Sequence, residues 1–379
     1  MAEKIIIGDR SIGEGQKIFI IAEAGVDHKG DMDQAKKIIE AAKKAGADAV
    51  KFQTYYADKL VTPEAKCYWH LVPEDDPSTR QIDTFGNLDK LRRDIYTELI
   101  EYGKKIGILV FSTPFDEDAV DVLVDSGVLA IKIASGDITC HSLLKRAAQK
   151  GVPILLSTGA ATHNEVDEAL KVIKDNGNPQ VALLHCILDY PTKDEDSNLR
   201  AIQEYRERYN LPIGFSDHTL TRDSGVLACF YGASFLEKHC TINKFKGEEG
   251  KPLNPDASFM SMEEFAEYVR RVRDFEEGKL TKEILEKELG VVFEKMSGIK
   301  NPERPLTCEY AASIGARRSL VSKKAIKSGE IIKEEDLDWK RPATGIKPTL
   351  ENIKYVSGRT ALVDIPKDKV ISYPMIDNS

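Results

Sequence analysis

The chain has 379 residues, 41% of them hydrophobic and 31% charged, with a formal net charge of −8 at pH 7. This composition suits a large folded domain plus a small one. The negative balance argues against a generic nucleic-acid binder, yet leaves room for an anionic small molecule held by a local basic cluster.

No apolar run approaches the roughly 20 residues that span a bilayer. The first residues, Met1-Ala-Glu-Lys-Ile-Ile-Ile-Gly, have no signal-peptide layout. The six cysteines include no Cys-x-x-Cys pair and no zinc-finger spacing, and Cys186 and Cys240 read as reduced core thiols. The expected setting is therefore cytoplasmic, with neither a membrane nor a nucleic acid as partner.

In chain order, apolar runs predict strands at Lys17–Glu23, Ala47–Gln53, Ile106–Ser112, Val128–Ala134, Pro153–Ser157, Val181–Cys186, Leu211–Ser216 and Ser234–His239. Amphipathic segments between them predict helices, among them Met32–Ala45, Asp116–Ser126, Asn164–Asn176 and Glu195–Tyr209. In the first, Ala35, Ile38, Ile39 and Ala42 share one face. Glycines 46, 127 and 151 stand where helices should stop.

Eight such alternations over roughly 260 residues match a (β/α)8 TIM barrel. A doubly wound sheet is disfavoured, because no Gly-x-Gly-x-x-Gly follows the first strand. Residues 278–314 read as a linker with a helix, and 315–379 as a small, mostly β domain after a barrel of 1–277. A domain that small buries little core and is expected to lean on another surface.

The barrel reading carries its own test, since functional residues should end the strands. Glu23, Lys51 with Gln53, Thr113, Lys132 with Ser135, Ser157, His185, Ser216 with His218, and His239 do so. Serines there are ordinary strand ends. Lysines, a glutamate and histidines inside apolar runs are not, because buried charge is costly unless paired or ligand-bound. His218 and His239, 21 positions apart, end the last two strands and are placed to hold a divalent metal. The other histidines read as satisfied core or loop residues, with His185 the one candidate for a supporting role.

The strand ends resemble those of the sialic acid synthases, phosphoenolpyruvate-condensing enzymes of nonulosonic acid synthesis. The resemblance lies in Ile20-Ile-Ala-Glu-Ala-Gly-Val-Asp-His28, Ala49-Val-Lys-Phe-Gln-Thr54, Phe111-Ser-Thr-Pro-Phe115, Lys132-Ile-Ala-Ser-Gly-Asp137, Leu156-Ser-Thr-Gly159, Leu184-His-Cys186, Tyr190-Pro-Thr192, Gly214-Phe-Ser-Asp-His-Thr219 and Glu237-Lys-His-Cys-Thr241. The tail resembles the family's antifreeze-like (SAF) domain in Ile326-Lys-Ser-Gly-Glu-Ile-Ile and Lys340-Arg-Pro.

The resemblance implies condensation of phosphoenolpyruvate with the aldehyde of an open-chain N-acetylated hexosamine, giving a nine-carbon 2-keto acid and phosphate. It implies Mn2+, with Mg2+ or Co2+ as alternatives, on His218 and His239, and a catalytic Glu23. Lys51, Gln53, Thr113, Lys132, Ser135, Ser157 and Ser216 would hold phosphoenolpyruvate. Asp137, Tyr190, Asp256 and Arg341 would meet the sugar, Arg341 reaching over from the other subunit of a domain-swapped homodimer.

Departures from the family cluster on the sugar side. Asp137 replaces a glutamate, Cys140 an asparagine, and Ala257 a histidine, while apolar Ile187 and Leu188 precede Asp189-Tyr190. N-acetylmannosamine is the first expectation for the acceptor. A diacetamido-trideoxy sugar of the legionaminic or pseudaminic type, or a 6-phosphate, stays open. An aldolase using a sugar phosphate and a non-catalytic binding protein are the remaining rivals.

Overall fold

The computed structural model describes residues 3–68, 80–88, 95–178, 180–242 and 260–377. An antiparallel hairpin, β1 (Ile5–Ile7) and β2 (Arg10–Ile12), comes first. Eight parallel strands follow: β3 (Phe19–Gly25), β4 (Ala49–Thr54), β5 (Leu109–Pro114), β6 (Ile131–Ile133), β7 (Ile154–Ser157), β8 (Val181–Cys186), β9 (Ile213–Asp217) and β10 (Phe235–Thr241). Each pairs with the next, and β10 pairs back to β3, so the sheet closes into a TIM barrel with helices between the strands.

The helix Met32–Ala45 shows why the elements fall where the sequence puts them. Asp31 caps it by accepting from the N–H groups of Asp33 and Gln34, and the predicted face of Ala35, Ile38, Ile39 and Ala42 is buried. Gly46 ends it at φ 91°, a conformation that a side chain would resist.

The hairpin was not among the predicted strands. It buries Ile5, Ile7 and Ile12 against the barrel core and bonds to Gln180 and Asn210, just before β8 and β9. It therefore sits at the end of the barrel opposite the strand C-termini. The helix expected over Glu195–Tyr209 is two pieces, a turn at Asp194–Asp196 and a helix at Ala201–Tyr209. Asn198, at φ 48°, interrupts it in the left-handed conformation that asparagine tolerates.

After β11 (Met260–Ser261) and the helix Met262–Glu276, residues 278–314 are not a free linker. They form the helices Lys282–Leu289 and Val291–Met296, bond to Leu199 and Arg200, and enter the helix Tyr310–Gly315. The tail domain has the ribbon β12 (Ser319–Ser322) and β13 (Leu337–Lys340), isolated bridges and the helix Leu350–Val356. Its small core centres on Leu320, Ile332, Ile353, Ile365 and Ile371, and it also leans on the barrel as expected. No helix among the described residues is long and apolar enough to cross a membrane.

Candidate active site

Strand register assembles the site. Glu23 lies opposite Lys51 across β3 and β4, and opposite His239 across β10 and β3. Gln53 faces Thr113, and Glu237 faces Ser216. Because side chains alternate along a strand, Lys51 and Gln53 share one face, as do Glu237 and His239. The strand ends open onto a cavity of about 250 Å³. Its lining includes Glu23, Lys51, Gln53, Thr113, Lys132, Ser135, Ser157, Tyr190, Ser216, His218, His239 and Arg341.

Four buried charges form its floor. Lys51 is ion-paired with Glu23, lies 4.0 Å from Glu237, and donates to Thr113 Oγ1 at 2.9 Å. Lys132 donates to Glu237 Oε1 at 3.3 Å, and Ser216 donates to the same oxygen at 2.9 Å. Gln53 donates to Glu23 Oε1 at 3.1 Å. Burial pushes the Glu23 carboxyl up in spite of Lys51. Burial opposes ionisation of Glu237 too, but Lys132, Lys51 and the Ser216 hydroxyl together hold it below the usual carboxylate range. Two carboxylates driven apart in this way are suited to different roles. The Ser157 hydroxyl is buried and makes no hydrogen bond among the described residues.

His218 and His239 stand at the rim with ring centroids 5.7 Å apart, and Tyr190 packs on His218 at 4.1 Å. Burial lowers His218 to about 4 and His239 well below its ordinary value, so both imidazoles are neutral near pH 7. His218 Nδ1 donates to the Ile187 carbonyl at 2.7 Å, which leaves Nε2 with its lone pair. The donor set therefore fits a divalent cation, for neutral imidazoles are its common ligands. Among the described residues no group of three His, Cys, Asp or Glu joins around such an ion, so two histidines would leave positions for substrate oxygens.

The side expected to meet the sugar is largely apolar and aromatic. Arg341 lies over Phe85 at 5.4 Å and Phe115 at 5.6 Å, and its buried Nε makes no hydrogen bond among the described residues. Leu188, Tyr68 and Leu60 complete this wall. Arg341 stands at the mouth of its own chain's barrel, since residues 301–316 fold back over the loops and deliver the tail domain there.

One expected sugar residue does not reach the cavity. Asp137 is fully buried and salt-bridged to Arg318 at 2.5 Å, because its shorter side chain is taken up by that tail-domain guanidinium. Asp256 lies outside the described residues. His185 does not line the cavity, being stacked on Phe215 with Nε2 2.7 Å from the Ser197 carbonyl. Cys186 is buried as expected, yet it lines the cavity.

Glu237 was the principal omission from the expected site residues. The signal was present in its two-residue spacing from His239, on the same face of the same strand. Phe85 and Tyr68 had no comparable signal, because only the closure of loops over the barrel brings them together.

The NeuB family model matches residues 38–283, and the SAF domain model matches 317–377. The chain is 40% identical over 345 residues to an uncharacterized protein, MJ1065, of Methanocaldococcus jannaschii, covering 91% of each. It is 36% identical to the N,N'-diacetyllegionaminic acid synthase of Legionella pneumophila, again covering 91% of each. Among solved structures, the spore coat polysaccharide biosynthesis protein spsE of Bacillus subtilis superposes with a TM-score of 0.80, 30% identity and full coverage of both chains.

Proposed function

Since the chain belongs to the NeuB family and is an enzyme of the phosphoenolpyruvate-condensing type, we propose that it makes a nine-carbon 2-keto acid from an open-chain acetamido sugar. We take the acceptor to be a diacetamido-trideoxy sugar of the legionaminic class. The observation that carries the reaction is the single cavity in which Lys51, Lys132, Glu23 and Glu237 lie beside two neutral histidines. The acceptor rests on Leu188, whose side chain gives the cavity wall an apolar surface suited to a deoxygenated carbon. The legionaminic relative supports it.

The chemistry follows from the charges. Two ammoniums and two carboxylates leave the floor near neutral, so a phosphoenolpyruvate polyanion needs further compensation. Lys51 and Lys132 would contact the anion, with the hydroxyls of Ser135 and Ser157 donating to its oxygens. Burial raises the Glu23 carboxyl, which suits its carboxylate to take up a proton during the reaction. A divalent cation, Mn2+ first and Mg2+ or Co2+ as alternatives, would be held by His218 and His239 and would polarise the aldehyde oxygen.

The enol π pair then forms the new C–C bond at the aldehyde carbon. Water adds at the enol carbon, with Glu23 placed to take its proton. The bond from that carbon to the phosphate oxygen breaks, leaving the ketone. Arg341, whose guanidinium lies over Phe85 and Phe115, would direct that group at an acetamido carbonyl.

The test is phosphate release from phosphoenolpyruvate and Mn2+ with a panel of acceptors. The panel comprises the diacetamido-trideoxy sugar, N-acetylmannosamine and its 6-phosphate. The diacetamido sugar should give the highest kcat/KM. Absence of metal-dependent release with every acceptor would sink the reading.

A further inference from the structure

We propose that residues 309–318, which connect the barrel to the tail domain, are a positioning element of the active site. They hold the loops that follow four consecutive barrel strands. Three buried charges of this segment do the holding.

Glu309 Oε1 accepts from the backbone N–H of Ala160 at 2.6 Å and of Leu188 at 3.0 Å. Its other oxygen accepts from Leu306 at 3.0 Å and pairs with Lys300 at 3.1 Å. Arg317 donates to the Ala160 carbonyl at 2.6 Å and to Glu165 Oε1 at 3.0 Å. Arg318 donates to Asp137 Oδ1 at 2.5 Å and to the Phe115 carbonyl at 2.7 Å. The Ala316 carbonyl lies 2.6 Å from where a Cβ on Gly136 would stand, so only glycine admits the segment there.

Each loop so held carries a residue of the cavity. Phe115 follows β5, Ser135 follows β6, Ala160 comes three residues after Ser157 of β7, and Leu188 precedes Tyr190 after β8. Ala160 is the most informative of the contacts. It is not glycine, yet it stands at φ 54°, with its N–H held by Glu309 and its carbonyl held by Arg317. Backbone strain of this kind persists where the surroundings over-determine it. A segment serving only to tie two domains together has no need to direct buried charges at loop backbone, where each carries a desolvation cost.

This inference rests on the reaction proposed above for what the loops position. Its structural half does not, and the experiment separates the two. The variants are Glu309→Gln, which keeps the shape and removes the charge, and Arg318→Lys, which keeps the charge and loses the second donor.

In folded Glu309→Gln, the KM for the acceptor should rise by about tenfold with a smaller change in kcat, since small misplacements of binding groups are costly. Backbone amide exchange at Ala160 and Leu188 should quicken by about tenfold, while amides of β4 keep the parent rate. Arg318→Lys should raise the KM for phosphoenolpyruvate instead, through Thr113 and Ser135. If Glu309→Gln does not fold, Arg318→Lys decides. Folded variants with parent exchange rates and both KM values within about twofold of the parent would overturn the proposal. A parent enzyme that released no phosphate would overturn the reaction, and the exchange measurement would still decide the role of the segment.

Discussion

Replacing Glu237 by Gln tests the electrostatic logic of the site most directly. The carboxylate lies 3.3 Å from Lys132 and 4.0 Å from Lys51, with all three groups buried. At an effective dielectric near 20 those separations are worth about 5 and about 4 kcal/mol of gross attraction. Much of this is offset by desolvation already incurred, and Glu23 still neutralises Lys51. Removing one partner of a buried pair costs about 3 kcal/mol net. Gln keeps an oxygen to accept from Ser216, so the change is one of charge.

For a barrel of this size, that loss corresponds to a fall of about 6 °C in Tm. Phosphoenolpyruvate then enters a site with one more net positive charge. Ligand linkage predicts a larger thermal shift on saturation for Glu237→Gln than for the parent, recovering most of the 6 °C or so lost. The assay is thermal unfolding with and without phosphoenolpyruvate, in the absence of acceptor. A shift equal to or smaller than the parent's would refute the idea that Glu237 acts as the counter-charge the substrate displaces.

Other outcomes follow from the same geometry. Lys132→Met should weaken phosphoenolpyruvate binding by about 30-fold in calorimetry, the loss of one charge-assisted contact. Titration of Mn2+ should show nearly constant affinity from pH 8 down to about 5. His218 takes up its proton only near pH 4, so protons begin to compete with the metal as the pH falls through that value. A loss of affinity centred near 6.5 would mean the imidazoles are not buried as described. Leu188→Asn should raise the kcat/KM ratio of N-acetylmannosamine to the diacetamido sugar by about tenfold, because it adds a hydroxyl partner and removes the apolar wall.

The barrel was legible because its eight strands and intervening helices repeat a pattern that local physics enforces. Apolar runs end in polar residues, helices stop at glycines, and amphipathic faces fall where burial requires them. The cluster of charges and histidines lining the cavity was legible for a related reason. Lys51, Lys132, Glu23, His218 and His239 are polar residues at the ends of apolar strands, and barrel closure sends all of them to one rim. Asp137 was misread because its motif matched a sugar-contacting position. Its partner, Arg318, lies 181 residues away in a segment whose path no local pattern specifies.

The sequence by itself determined which residues end which strands, and so which charges meet at the floor of the cavity, because strand period and register are local properties. Only the tertiary structure decided what closes over that floor. Phe85, Leu188 and Arg341 form one wall of the cavity because segment 309–318 crosses the loops and brings the tail domain to the barrel mouth. That path is set by long-range contacts between buried charges and loop backbone. Those contacts leave no period in the chain.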